Sequence, residues 1–102
     1  MQKYKIIVSS KAQSDISEHI AFLKKASEKA AKELAKNIFS SLESLSIYPE
    51  RNPIFEMPKT FNFTIRKFLI SNRYIALYSA EKEIVVIHRI LDARRKFNNL
   101  IF

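Results

Sequence analysis

"FTIRKFLISNRYIALYSAEKEIVVIHRIL", residues 63–91, decides the fold. Apolar side chains recur here at every second position, the period of a strand, and the pattern breaks twice: at Ser71-Asn72 and at "AEKE" (residues 80–83). Three strands follow: "FTIRKFLI" (63–70), "RYIALYSA" (73–80) and "EIVVIHRIL" (83–91). Connections this short join antiparallel neighbours, so the three form a meander. In the last strand Ile84, Val86, His88 and Ile90 alternate with Val85, Ile87, Arg89 and Leu91. Both sets are apolar until Arg89, the mark of a central strand covered on both faces for most of its length. The chain has no glycine. Asn72, Ser79 and Lys82 are therefore expected to supply the awkward turn conformations, in connections looser than glycine would permit.

Upstream, "YKIIVS" (4–9) reads as a short strand with Tyr4, Ile6 and Val8 on one face. Ser10 and Gln13 have capping-box spacing, and Ala12, Ile16, Ile20 and Leu23 then repeat at helical intervals with His19 on the flank. Ser27 is positioned to cap a second helix, with Glu28 in its first turn, where the helix dipole favours negative charge. Its apolar stripe runs through Ala31, Leu34, Ala35, Ile38, Phe39, Leu42 and Leu45, and Pro49 and Pro53 force a loop after it. The expected architecture is β-α-α-β-β-β: an α+β fold whose helical hairpin packs on one face of an antiparallel sheet, in one domain over residues 1–102.

Composition excludes most enzyme classes. Without cysteine there is no disulfide framework, thiol nucleophile or thiolate metal site. Without glycine the backbone cannot approach a phosphate as P-loops and dinucleotide folds require. Two histidines, His19 and His88, are too few for a catalytic metal centre without a carboxylate cluster. No cofactor or metal is expected. No apolar run approaches the roughly 20 residues that span a bilayer, and Ile6, Ile7 and Val8 are too short a stretch for a secretory signal. A cytoplasmic protein without membrane association is expected.

The net charge of +8 is uneven. Residues 1–63 hold ten Lys/Arg against seven Asp/Glu, whereas residues 64–102 hold eight against three. Basic asymmetry points to nucleic acid, the ribosome or an acidic protein as partner. Arg94, Arg95 and Lys96 follow the last strand directly, and Arg66, Arg73 and Arg89 stand where strand pairing would gather them onto the same rim. The plain alternative is a solvated basic end, part of whose charge Asp92 neutralises across the turn. Tyr74 and Tyr78 share a strand face and read as core aromatics with a hydroxyl at the rim. Leu100, Ile101 and Phe102 either pack against the domain or lie on a surface that a partner covers.

This order of elements, with "SSKAQSDISEHIAFL" (9–23), "SLSIYPE" (44–50) and "IRKFLISNRYIALYSAEKEIVVIHRILDARRKF" (65–97), resembles the RelE/ParE superfamily. These are toxins of bacterial type II toxin-antitoxin modules. The resemblance implies growth inhibition, a link to plasmid stabilisation, and a cognate antitoxin with an acidic, partly disordered segment. The toxin would be a monomer or part of a toxin-antitoxin hetero-oligomer. It also implies one of two targets. RelE-like members cut mRNA on the ribosome without metal; ParE-like members bind DNA gyrase.

For the first, Arg66, His88 and Arg94 are the candidate catalytic residues. Metal-free RNA cleavage needs cations on the phosphorane and a base for the 2′-hydroxyl. Phe68, Ile75 and the terminal "NNLIF" stand where that branch carries further cations and a terminal tyrosine. Their absence favours the ParE-like branch, and the length of the helical hairpin favours it too. On that reading Arg66, Arg73, Arg89, Arg94, Arg95 and Lys96 are target- or antitoxin-binding residues. A nontoxic basic nucleic-acid-binding module is the competing reading from another class.

Overall fold

The computed structural model describes residues 3–56 and 63–94. The element order is β1 (Lys5–Val8), α1 (Ser10–Lys24), α2 (Glu28–Ser44), a single 3-10 turn (Pro49–Arg51), then β2 (Arg66–Ile70), β3 (Tyr74–Glu81) and β4 (Ile84–Asp92). This is the β-α-α-β-β-β, α+β order expected from the periodicities.

Two serines start the helices. Ser27 caps α2 as its position implies, its Oγ accepting from the Ala30 N–H at 3.1 Å. For α1 the cap is Ser9 rather than Ser10. Ser9 Oγ accepts from the Ala12 N–H, and Gln13 Nε2 reaches back to the Val8 carbonyl. Ser9 also donates to the His88 carbonyl on β4. A tertiary contact thus chose between two adjacent serines of equal capping strength. Pro49 opens the 3-10 turn, where its missing N–H costs nothing. Tyr48, just before it, takes a left-handed conformation at φ 48°.

The sheet runs β1-β4-β3-β2, with β1 parallel to β4 and the other pairs antiparallel. β4 is central, as its two apolar faces imply. Both hairpin connections are tight, contrary to the looser turns expected of a chain without glycine. Ser71 and Asn72 adopt φ of 53° and 54°, and the Arg73 N–H closes on the Ile70 carbonyl at 3.1 Å. Lys82 and Glu83 adopt 50° and 66° between the paired Glu81 and Ile84. Left-handed φ at two consecutive positions matches the twist of the strands, and the pairing beyond the turn offsets the steric cost. Ser79, also expected in a turn, lies inside β3.

The core lies between the helices and one sheet face. Leu34, Ile38, Leu42 and Leu45 meet Ile70, Tyr74, Ala76, Tyr78, Val85, Ile87 and Ile90, all buried. Burying each of the larger side chains contributes about 1.5–3 kcal/mol before chain entropy is counted. In β3–β4 the register slips between Leu77 and Tyr78, which face Arg89 and Ile87, so His88 is an extra residue in a β-bulge.

β4 outlasts its parallel neighbour: the last β1 pair is Val8 with Ile87. Beyond it, side chains of α1 take over the exposed edge. Asp15 Oδ2 accepts from the Ile90 N–H at 3.0 Å, and His19 Nε2 lies 2.8 Å from the Ile90 carbonyl. A carbonyl only accepts, so His19 carries its proton on Nε2. Asp15 and His19, one helical turn apart, supply to Ile90 the ladder bonds that β1 no longer reaches to make.

Candidate functional site

Five arginines lie among the described residues, and they play different parts. Arg66 starts β2 and turns inward. Its Nη1 donates to the carbonyls of Glu50 (3.1 Å) and Asn52 (2.8 Å), fastening the loop after the 3-10 turn to the sheet. Beside it the Tyr78 hydroxyl donates to the Pro49 carbonyl and accepts from Asn52 Nδ2 at 3.0 Å. Burial holds the Tyr78 phenol above its ordinary range. Arg51 donates to the Ser44 and Ile47 carbonyls and lies over the Phe68 ring.

Arg89 forms a bidentate pair with Asp15, Nε to Oδ2 at 2.7 Å and Nη2 to Oδ1 at 2.9 Å. The pair is largely buried, and its hydrogen bond to Asp15 raises the arginine further. Arg94 forms a second bidentate pair, with Asp92: Nε to Oδ1 at 3.1 Å and Nη2 to Oδ2 at 2.8 Å, with the Arg94 N–H also on Oδ1. These bonds hold the Asp92 carboxyl well below the usual carboxylate range. Asp92 is only 11% exposed while Arg94 is 64% exposed, so the arginine covers the acid and presents its outer edge to solvent.

Arg73 differs from the rest. Among the described arginines it alone has no hydrogen-bond acceptor: its Nε is buried and unpartnered, and its guanidinium lies 5.5 Å from the Tyr74 ring centroid. It lines a pocket of about 530 Å³ at the end of the sheet where β3 begins and β4 stops. Tyr74 and Asp92, paired across the two strands, form the floor. α1 contributes Glu18, His19 and Phe22, and Arg94 closes the far side. His19 packs against Tyr74 at 4.7 Å between ring centroids.

Strand pairing thus brings Arg73 and Arg94 together but leaves Arg66 at the opposite end of the sheet, beside Tyr78. Four residues of strand separate the two ends, about 13 Å. Arg89 sits at the β4 edge, held by Asp15. His88 lies on the sheet face away from the helices, within 2.9 Å of Ser79 Oγ and stacked on Phe63. Burial lowers its pKa below the ordinary histidine value. The candidate catalytic set Arg66, His88 and Arg94 is therefore spread over two ends and two faces. Arg95, Lys96 and the terminal Leu100, Ile101 and Phe102 lie outside the described residues. Among the described residues no cluster of three His, Asp or Glu side chains is placed to hold a metal, and no helix is long and apolar enough to cross a membrane.

Reading the sequence missed Glu18, His19 and Phe22 as pocket residues. One signal was present: Asp15, His19 and Phe22 follow at i, i+4 and i+7, a second helix face beside the apolar stripe.

Comparison with known proteins agrees with this architecture. No curated protein matches the sequence. Among solved structures, the fold is similar to a chain described as "Chromosomal ParDE TA system from P. aeruginosa". The TM-score is 0.69 at 13% identity, covering 88% of this chain and 96% of that one. The family model of the ParE toxin of the type II toxin-antitoxin system parDE matches residues 6–97, nearly the whole chain. A match of that extent, on a sheet and helical hairpin of the same kind, makes this chain a member of the ParE toxin family.

Proposed function

We propose that this toxin arrests growth by binding DNA gyrase in the cytoplasm, and that a cognate antitoxin neutralises it through an acidic, partly disordered segment. The observation that carries the choice of target is the separation of the would-be nuclease residues. Metal-free RNA cleavage requires base, acid and phosphorane-stabilising cations within a few ångströms of one phosphate. Here Arg66 clamps the Glu50 and Asn52 carbonyls, His88 lies beside Ser79 on the other face, and Arg94 is held by Asp92. A protein-binding mode needs no such convergence. It needs a rigid surface, and the region around Arg73 and Arg94 offers one with cations at its rim.

The test is a supercoiling assay with purified gyrase and relaxed plasmid. Inhibition or trapped cleavage complexes are expected, relieved by the polypeptide encoded beside the toxin. Codon-specific mRNA cleavage on translating ribosomes, with gyrase untouched, would instead establish the RelE-like reading.

A further inference from the structure

We infer that the pocket between α1 and the β3–β4 end binds a single carboxylate of a partner polypeptide, with a large apolar side chain next to it. Arg73 anchors the carboxylate and Phe22 covers the neighbour. The inference deepens the toxin reading above, since it specifies the chemistry of the segment the toxin recognises.

Arg73 supplies the first argument. A guanidinium is a fixed fork of donors suited to a carboxylate. The other four described arginines spend theirs on carbonyls or on Asp15 and Asp92, whereas Arg73 has no acceptor and its Nε is buried. Its backbone is fixed at both ends: the Arg73 N–H closes the turn on Ile70, and its carbonyl accepts from the Ala93 N–H at 2.7 Å. The side chain is stacked beside Tyr74. The cation is pre-positioned rather than loose, which lowers the cost of binding.

Charge balance selects the ligand. Arg73 and Arg94 face the pocket together with Glu18 and Asp92, two cations against two carboxylates. A nucleic acid would bring one negative charge per phosphate and meet Glu18 and Asp92 among the described pocket residues, whose charges balance. One carboxylate brings a single negative charge, directed at the one guanidinium of the pocket that donates to no acceptor among the described residues.

The apolar wall selects what accompanies it. Phe22 is 66% exposed on the side of α1 that lines the pocket, and the tilted, contacting rings of His19 and Tyr74 continue that wall. An acidic residue followed by an aromatic one matches both halves.

The test uses the intact toxin, ¹⁵N-labelled, with four probes: the capped dipeptides Ac-Glu-Phe-NH₂, Ac-Gln-Phe-NH₂ and Ac-Glu-Ala-NH₂, and adenosine monophosphate. The Arg73 Nε–H signal reports directly on the guanidinium. Ac-Glu-Phe-NH₂ should shift it together with the His19 ring, and the glutamine peptide should bind about tenfold or more weakly, as loss of one charge-assisted contact implies. Arg73→Met should abolish the response. Phe22→Ser, at an exposed position that does not threaten folding, should bring the Phe and Ala peptides to equal affinity. Equal binding of the Glu and Gln peptides, unchanged binding by Arg73→Met, no response to any probe, or tighter binding of the mononucleotide would each overturn the inference. Gyrase inhibition is read separately. A toxin that leaves gyrase untouched yet binds the glutamate peptide through Arg73 removes the proposed target and leaves the pocket standing.

Discussion

The two ends of the sheet use arginine in opposite ways. At one end Arg66 Nη1, Asn52 Nδ2 and the Tyr78 hydroxyl each donate to an acceptor within the fold, tying Arg66, Asn52, Tyr78 and Pro49 together. At the other, Arg73 stands without an acceptor beside an arginine that is already occupied. Composition counts these cations alike, yet the first is a structural clamp and the second donates to no acceptor among the described residues. Positive charge on a small toxin is thus no map of its binding surface; a better map is the pattern of donors left without acceptors.

Substitutions that separate structural from available groups test this contrast. The largest loss is expected from Asp15→Ala, which takes the bidentate carboxylate from Arg89 and the acceptor from the Ile90 N–H together. About 3 kcal/mol of stability should disappear, read from urea unfolding. A loss below about 1 kcal/mol would mean that the β4 edge is loosely held throughout and that the open end is not confined to the pocket.

At the closed end, Tyr78→Phe leaves the Pro49 carbonyl without its donor and should cost about 1–2 kcal/mol. Acid should also act on the sheet face away from the helices. The folded state depresses the His88 pKa, so the unfolded chain binds the proton more readily. Stability should be level above about pH 7 and fall as pH drops through the unfolded value near 6.5. His88→Gln should flatten that slope in urea midpoints taken from pH 8 to pH 5. Asp92 titrates lower. Its pairing with Arg94 adds stability above the unfolded value near pH 4 that is lost on further acidification.

The smallest effects belong to the open end. Arg94→Ala removes a half-solvated pair and should move the urea midpoint only slightly. Arg73→Met should change stability by less than about 0.5 kcal/mol, since no hydrogen bond is lost. A large loss there would place Arg73 with Arg66 as a clamp.

Most of the fold was legible because it is written in local periods. The change from period 3.6 to period two separates helices from strands, and Ser27 and Glu28 mark the second helix at its first turn. Leu77 and Tyr78, with Ala76 and Ser79, show why β3 sits at the centre of the sheet: they are buried on both of its faces. What escaped was non-local. Nothing near Asp15 announces that it will receive a backbone N–H 75 positions later, and nothing near His19 announces Ile90, 71 positions on. The choice between Ser9 and Ser10 turned on the same distant strand. The fates of Arg66 and Arg73 depend on register: a sequence shows both flanking β2 but not which end meets a loop full of carbonyls. The pairing of Asp92 with Arg94, two residues apart, was readable for the opposite reason.

The parallel pairing of β1 with β4 has a consequence for synthesis. Ser9 binds His88 across 79 positions, and β4 is the only described strand that β1 pairs with, so the first strand made must wait for the last before it has a neighbour. On the ribosome the helical hairpin can form early, while the sheet closes only after β4 emerges from the exit tunnel. A nascent or prematurely terminated chain therefore cannot present the finished surface, and the poison is disarmed for as long as it is being made.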